Sequence, residues 1–294
     1  MRTLLLFSTL FSAHLASIPA QSRFVAADYS NHYDWFHQHS HTEQLYEDHS
    51  TIFIFGLDAK LHRNPCLEAA VLKELKIGER VQNISYQNEQ MPESEMNGYS
   101  DIWFHVKSGA QIGYIWGGNI AKAWKQTDLT GDQIPELILL GNASNSRTSP
   151  KDIKGELRIV QNHHLLYQKM VPGLCLFEDC ATSALIRVLK DQPSKGATII
   201  EASTMTMGCW ASIEKTFFFW NGHRLSLIHH EELTTKKVFE SHAFSYAHPS
   251  DNQTAQVCRF KGEDQNYLPI WDCKTIQISN KKASKKEIAY LGSD

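Results

Sequence analysis

Oxygen-bearing side chains recur along residues 127–140, TDLTGDQIPELILL, at Asp128, Thr130, Asp132 and Glu136. Together with the carbonyl of Ile134 they can turn inward around one hard cation, because calcium accepts six to eight oxygens at flexible geometry. The plainer reading of the same residues is a turn at Asp128 and Gly131 that feeds the apolar run ELILLG. A second set combines sulfur and imidazole. FEDCATSAL carries Cys180, and the adjacent pair His229 and His230 supplies the kind of base that a thiolate nucleophile needs. A third set lies in ADYSNHYDWFHQHSHTEQLYEDHS, where His32, His37, His39, His41 and His49 fall near Asp34 and Glu43. Imidazole suits zinc or copper, whereas a polar arm without sustained periodicity needs no metal. No G-x-S-x-G elbow, H-E-x-x-H helix or phosphate-binding P-loop occurs, and HHEEL offers adjacent histidines rather than the i, i+4 pair of zinc hydrolases.

The chain that must position these groups has 294 residues, 42% of them apolar, with a formal net charge of -3. That is enough apolar matter for one large or two modest cores, and it lacks the basic footprint that DNA or RNA binding requires. The first twenty residues, MRTLLLFSTLFSAHLASIPA, place one arginine before an apolar stretch that ends in small residues, the layout of a secretory signal peptide cut after Ala20. No later segment supplies about 18 uninterrupted apolar residues. The expectation is therefore a soluble secreted or periplasmic protein with no integral membrane segment.

Export changes the reading of the cysteines. Cys66, Cys175, Cys180, Cys209, Cys258 and Cys273 form an even set, and in an oxidising compartment disulfides are the default. Six cysteines allow 15 pairings, which spacing alone does not resolve. Cys258 with Cys273 is the favoured pair, because the segment between them can form a hairpin, and further pairing is expected among Cys175, Cys180 and Cys209.

After a polar arm at 21–50 the texture changes to short strand-like runs separated by turns at Asn64-Pro65 and Gly78. LEAAVLKELK has helix-forming composition, and only the family resemblance carried by the residues that follow implies a strand there instead. Arg63 and Pro65, Leu75 with Gly78 and Val81, Trp103 with Val106, and Gly113-Tyr114-Ile115 occur in the order of a known pattern. Residues 51–122 thereby resemble a bacterial SH3 (SH3b) domain, with the insertion QNEQMPESEMNGYS lengthening one loop. The resemblance implies a small barrel that binds cell-wall peptide or an envelope protein rather than catalysing a reaction. On that basis Tyr99, Trp103, Tyr114 and Trp116, with Asp101 at the edge, are expected to line a shallow groove, and Trp116 is the favoured exposed contact.

DLTGDQIPE in turn is similar to the calcium loop of FG-GAP and VCBS-type repeats. The likeness assigns Asp128, Thr130, Asp132, Glu136 and the Ile134 carbonyl as ligands of a structural Ca²⁺, with Gln133 where the pattern has glycine. Further copies of the loop are absent, which argues against a repeat propeller. The loop instead opens a larger antiparallel domain, sandwich or open sheet, over 123–235. Its other strands are expected to be GELRIV, HLLYQKMV, SALIRVL, ATIIEAS, IEKTFFFWNGHRLSLI, folded at Asn221-Gly222, and VCRF. Residues 236–294 are expected to form a cysteine-stapled β extension and a polar tail. The whole is all-β. An alternative comes from Asp179-Cys180, which resembles the nucleophile segment of NlpC/P60 cysteine peptidases and would make the chain a cell-wall peptidase.

Overall fold

The computed structural model describes residues 47, 49–85, 91–96, 98–143, 155–171, 183–190, 198–206, 212–234, 242–245, 254–263 and 269–277. The architecture is all-β, as the sequence predicts, and the described residues include a single 3-10 turn at Gly117–Asn119. No helix among them is long and apolar enough to cross a membrane. The chain divides into two compact units, one holding His242–Gln277 and the other holding every described residue before it.

In the larger unit, seven strands form the first sheet: β1 (Thr51–Phe53), β2 (Ala59–His62), β3 (Val71–Leu75), β4 (Arg80–Asn83), β5 (Glu93–Met96), β6 (Tyr99–Ser108) and β7 (Gln111–Trp116). Their order is β1-β4-β6-β7-β2-β3, and β5 pairs with β6. Ile52, Ala59, Leu61, Leu75, Val81, Phe104, Val106 and Ile115 come from six of these strands and meet in one core. The sheet must therefore curl around them. The helix-forming composition around β3 yields to this demand, because Leu75 on a strand reaches the core and sheet pairing with β2 satisfies the backbone.

β8 (Ala123–Thr127), β9 (Glu136–Asn142), β10 (Gly155–Gln161) and β11 (His164–Val171) form a second sheet in the order β11-β10-β9-β8. A third has the order β12-β13-β14-β15, from β12 (Ser183–Lys190), β13 (Thr198–Thr206), β14 (Ser212–Trp220) and β15 (Leu225–Thr234). Ile138, Leu140, Leu157 and Ile159 from the second sheet share a core with Ile186, Ile200, Phe218 and Trp220 from the third, which makes these two a sandwich. The opposite face of the second sheet packs on the curled sheet, with Leu137, Leu139 and Val160 against Phe53, Phe55 and Ile77. Every residue of β9 is buried for this reason, and ELILLGN needs no polar alternation. Gly141 is required at this contact, since a Cβ there would lie 2.7 Å from the Phe55 ring.

Buried charge crosses the same contact. Arg158 donates through Nη1 to the Phe55 carbonyl at 2.6 Å, places its guanidinium 4.1 Å over the Phe55 ring, and pairs with Glu156 at 2.7 Å. In the smaller unit, β16 (His242–Ser245), β17 (Thr254–Glu263) and β18 (Pro269–Gln277) form an antiparallel sheet of their own.

Candidate aromatic face and acidic loop

The aromatic residues of the first sheet follow from strand periodicity. Phe104, Val106 and Ile115 turn into the core, so Trp103, His105, Tyr114 and Trp116 lie on the outer face. Trp103 pairs with Trp116 across β6 and β7, and His105 pairs with Tyr114 one step further along. Tyr114 is also opposite His62 on β2, which is opposite Val71 on β3. One row of side chains, His105-Tyr114-His62-Val71, thus crosses four strands. The His105 and Tyr114 rings stack at 4.6 Å and 13°, and the His62 ring meets Trp103 edge-on at 5.3 Å. Val71 is 47% exposed and Ile112, beyond the row, is 51% exposed.

The structure corrects part of the expected groove. Trp103 and Trp116 are 0% and 1% exposed, and Tyr99 is 4%, so these three are packed together rather than offered to a ligand. What covers them is the inserted segment that the sequence marked as an overlong loop. β5 lies beside β6, and Ser94 accepts the indole N–H of Trp103 on its hydroxyl at 2.8 Å and that of Trp116 on its carbonyl at 2.9 Å. Met96 packs against the same cluster. On the far side, a Cβ on Gly118 would lie 2.0 Å from the Trp116 ring, so only glycine allows the 3-10 turn to close there. Burial first, and then the nearby Asp101 carboxylate, push the Tyr99 phenol up, which keeps it neutral. Asp101 itself pairs with Lys122 at 2.9 Å and accepts the Ile102 N–H, so it is held in place as a structural anion. Of the expected groove residues, Tyr114 alone is both half-exposed and part of the outer row.

Strand alternation from Trp103 would have found His105, which the sequence reading passed over, and the pair Asn97-Gly98 is a hairpin signal for β5. Met96 is opposite Tyr99, which leaves two residues for that turn, and Gly98 takes a φ of 86°.

The acidic loop holds Asp128, Asp132 and Glu136 with one oxygen from each within 4.8 Å of the others. Asp128 accepts the N–H groups of Gly131 and Gln133, and Asp132 accepts that of Ile134 at 2.8 Å. Glu136, fully buried, accepts the Leu129 N–H at 2.6 Å and the Thr130 hydroxyl at 2.9 Å. The Ile134 N–H, aided by the Gln161 amide and the Thr130 side chain, holds the Asp132 carboxyl below its ordinary range, so it is charged at neutral pH. Gln133 adopts a φ of 68° where the calcium-loop pattern has glycine. Gln161, from β10, was not foreseen. Its amide nitrogen faces three oxygens: Asp132 Oδ2 at 3.2 Å, the Ile134 carbonyl at 3.3 Å and Glu136 Oε1 at 3.1 Å. Three of the proposed calcium ligands therefore converge on a point where the structure places the positive end of an amide dipole. The donor set, three carboxylates and a carbonyl, fits a hard cation.

The remaining candidates are dispersed. Cys180, Cys175 and Cys209 lie outside the described residues, as do the signal segment, the arm with His32, Asp34, His37, His39, His41 and Glu43, and the terminal tail. His49 is described and donates its backbone N–H to the Asn83 carbonyl. His229 stacks on Phe217 at 6.2 Å, whereas His230 bonds to Thr216 at 2.9 Å. Adjacent strand residues face opposite ways, so at most one of these two histidines could serve as the base of a given site. Cys66 is exposed as a free thiol, and Cys258 stands opposite Cys273 in the β17–β18 register. No family model, no curated protein and no solved structure matches this chain.

Proposed function

We propose that the chain is a non-enzymatic binding or scaffolding protein of the bacterial cell envelope, secreted or periplasmic, whose curled sheet is an SH3b-like module that grips cell-wall peptide or an envelope protein. The observation that carries this reading is the stacked His105–Tyr114 pair, seated beside the buried His62 ring and flanked by exposed Val71 and Ile112. Stacked, rigid rings beside aliphatic side chains offer contact area at low cost in side-chain entropy, which suits a peptide laid across the strands. The second domain, packed through Leu137, Leu139 and Val160, gives this module a fixed seat.

Sedimentation of the full chain with purified peptidoglycan tests the reading. The protein is expected in the pellet, and Tyr114→Ala or Val71→Ser is expected to weaken retention about tenfold or more while the strand signal in circular dichroism is kept. Wild-type protein left in the supernatant overturns the wall ligand. Release of soluble wall peptides, blocked by alkylation of Cys180, would instead establish the cysteine peptidase.

We also propose that Asp128, Thr130, Asp132, Glu136 and the Ile134 carbonyl hold a structural calcium ion. The convergence of their oxygens on the Gln161 amide supports it, and bound calcium would supply only charge neutralisation and a pinned turn into β9. Calorimetry decides: calcium is expected to raise the melting temperature over chelator in the wild type and not in Asp132→Asn. Equal melting in both media with wild type leaves only the turn.

A further inference from the structure

The smaller unit sets two cysteines at opposed positions of one strand pair. β17 and β18 pair antiparallel with Cys258 directly opposite Cys273, between the pairs Val257 with Lys274 and Arg259 with Asp272. The register is regular from Thr254 with Gln277 through Phe260 with Trp271, and shifts only after Phe260. Residues directly opposed in an antiparallel pair lie on one face with Cα atoms about 4.5 or 5.5 Å apart. Both spacings fall within the roughly 4.4–6.8 Å that a disulfide spans. A slip of one residue would put the two cysteines on opposite faces, so the register makes the pair possible.

The unit has reason to need such a link. Its sheet has three strands of 4, 10 and 9 residues, and sheets this small are marginal without added restraint.

We propose that Cys258 and Cys273 form a cross-strand disulfide that staples β17 to β18 and makes the folding of this unit depend on oxidation. The oxidant is a disulfide-exchange partner, either a dithiol oxidase in its disulfide form or oxidised glutathione. One cysteine thiolate attacks the partner disulfide and forms a mixed disulfide. The second thiolate then attacks the Sγ of the first cysteine in this mixed disulfide, closes the Cys258–Cys273 bond and expels the partner sulfur as thiolate. Two electrons pass to the partner, whose sulfurs take up the two protons lost here. Closing a loop of this length shifts the folding equilibrium by roughly a hundredfold. The staple stands independently of what the curled sheet binds.

The test uses full-length protein recovered from an oxidising compartment, alkylated without reduction, digested and mass-analysed. A linked peptide containing Cys258 and Cys273, lighter by two hydrogens than the two thiol peptides, is expected. Alkyl label on either residue, or linkage of either to another cysteine, overturns the proposal. Limited trypsin digestion tests the staple itself, because Arg259, Lys261 and Lys274 lie within the two strands. Cleavage there is expected to accelerate at least about tenfold in the Cys258→Ser/Cys273→Ser double variant. If that variant does not accumulate, wild type treated with dithiothreitol gives the same reading. Unchanged cleavage after the bond is removed overturns the dependence on oxidation.

Discussion

Ser94 holds two tryptophans at once: its hydroxyl accepts the indole N–H of Trp103 at 2.8 Å, and its carbonyl accepts that of Trp116 at 2.9 Å. The inserted strand β5 thereby satisfies both buried indole donors of the outer aromatic cluster. Ser94→Ala removes one acceptor and leaves the Trp103 N–H buried without a partner, at an expected cost of about 1–3 kcal/mol. Ser94→Gly should cost a similar amount, because the Trp116 bond uses the backbone and survives both changes. Urea unfolding followed by tryptophan emission checks this. A loss below about 0.5 kcal/mol would mean that the hydroxyl is dispensable.

The contact between the curled sheet and the sandwich rests on an ion pair that few apolar interfaces would tolerate. Arg158→Met strips the Phe55 carbonyl of its donor and leaves Glu156 charged and buried, for an expected loss of about 3–5 kcal/mol. Adding Glu156→Gln removes the stranded charge, so the double variant should be more stable than Arg158→Met alone. Denaturant titration of the wild type, both single variants and the double variant closes the cycle, and simple additivity would refute the pairing.

Much of this arrangement was legible in the sequence, and the parts that were not share a physical cause. ELILLG, GELRIV, HLLYQKMV and the Asn221-Gly222 hairpin could be read because local pattern and turn chemistry agree with the sheet. Trp116 could not be placed, because its burial depends on β5, a strand polar at every position but Met96 whose role lies largely in what Ser94 accepts. Gln161 was invisible for a similar reason. It sits 29 residues from Asp132 in the chain, and only the pairing of β9 with β10 brings it to the loop. Asn83-Ile84-Ser85 and Asn142-Ala143-Ser144 match the N-glycosylation acceptor pattern, but Asn83 is 0% and Asn142 2% exposed, and a glycan acceptor must reach solvent.

Acid should loosen the end of the curled sheet through Glu79. Burial raises the affinity of this carboxyl for a proton, but hydrogen bonds from Lys73, Ser108 and the Lys76 N–H, together with the Lys73 charge, outweigh it and hold the group below its ordinary range. A carboxyl depressed on folding stabilises the protein above its unfolded value, near 4.3, and that contribution is lost as pH falls through the folded value. The melting temperature of wild type should therefore exceed that of Glu79→Gln at pH 6, and the gap should close toward pH 3. A gap independent of pH would assign the effect to packing.

Gln161 offers the sharpest test of the acidic loop, because its amide and a calcium ion would answer the same three oxygens. In chelator, Gln161→Leu removes the donor to Asp132, Ile134 and Glu136, and the variant should melt below wild type. Saturating calcium supplies the missing positive charge, so the difference between variant and wild type should shrink. Glu136 makes the direction of this effect decisive. It is fully buried, and it keeps the Leu129 N–H and the Thr130 hydroxyl as partners in either case. Only the oxygens facing Gln161 change partner, and only their electrostatics are at issue. Thermal melts of both proteins in calcium and in chelator give four values. A deficit that is the same size in both media would show that Gln161 stabilises the turn by itself and that calcium does not share its place.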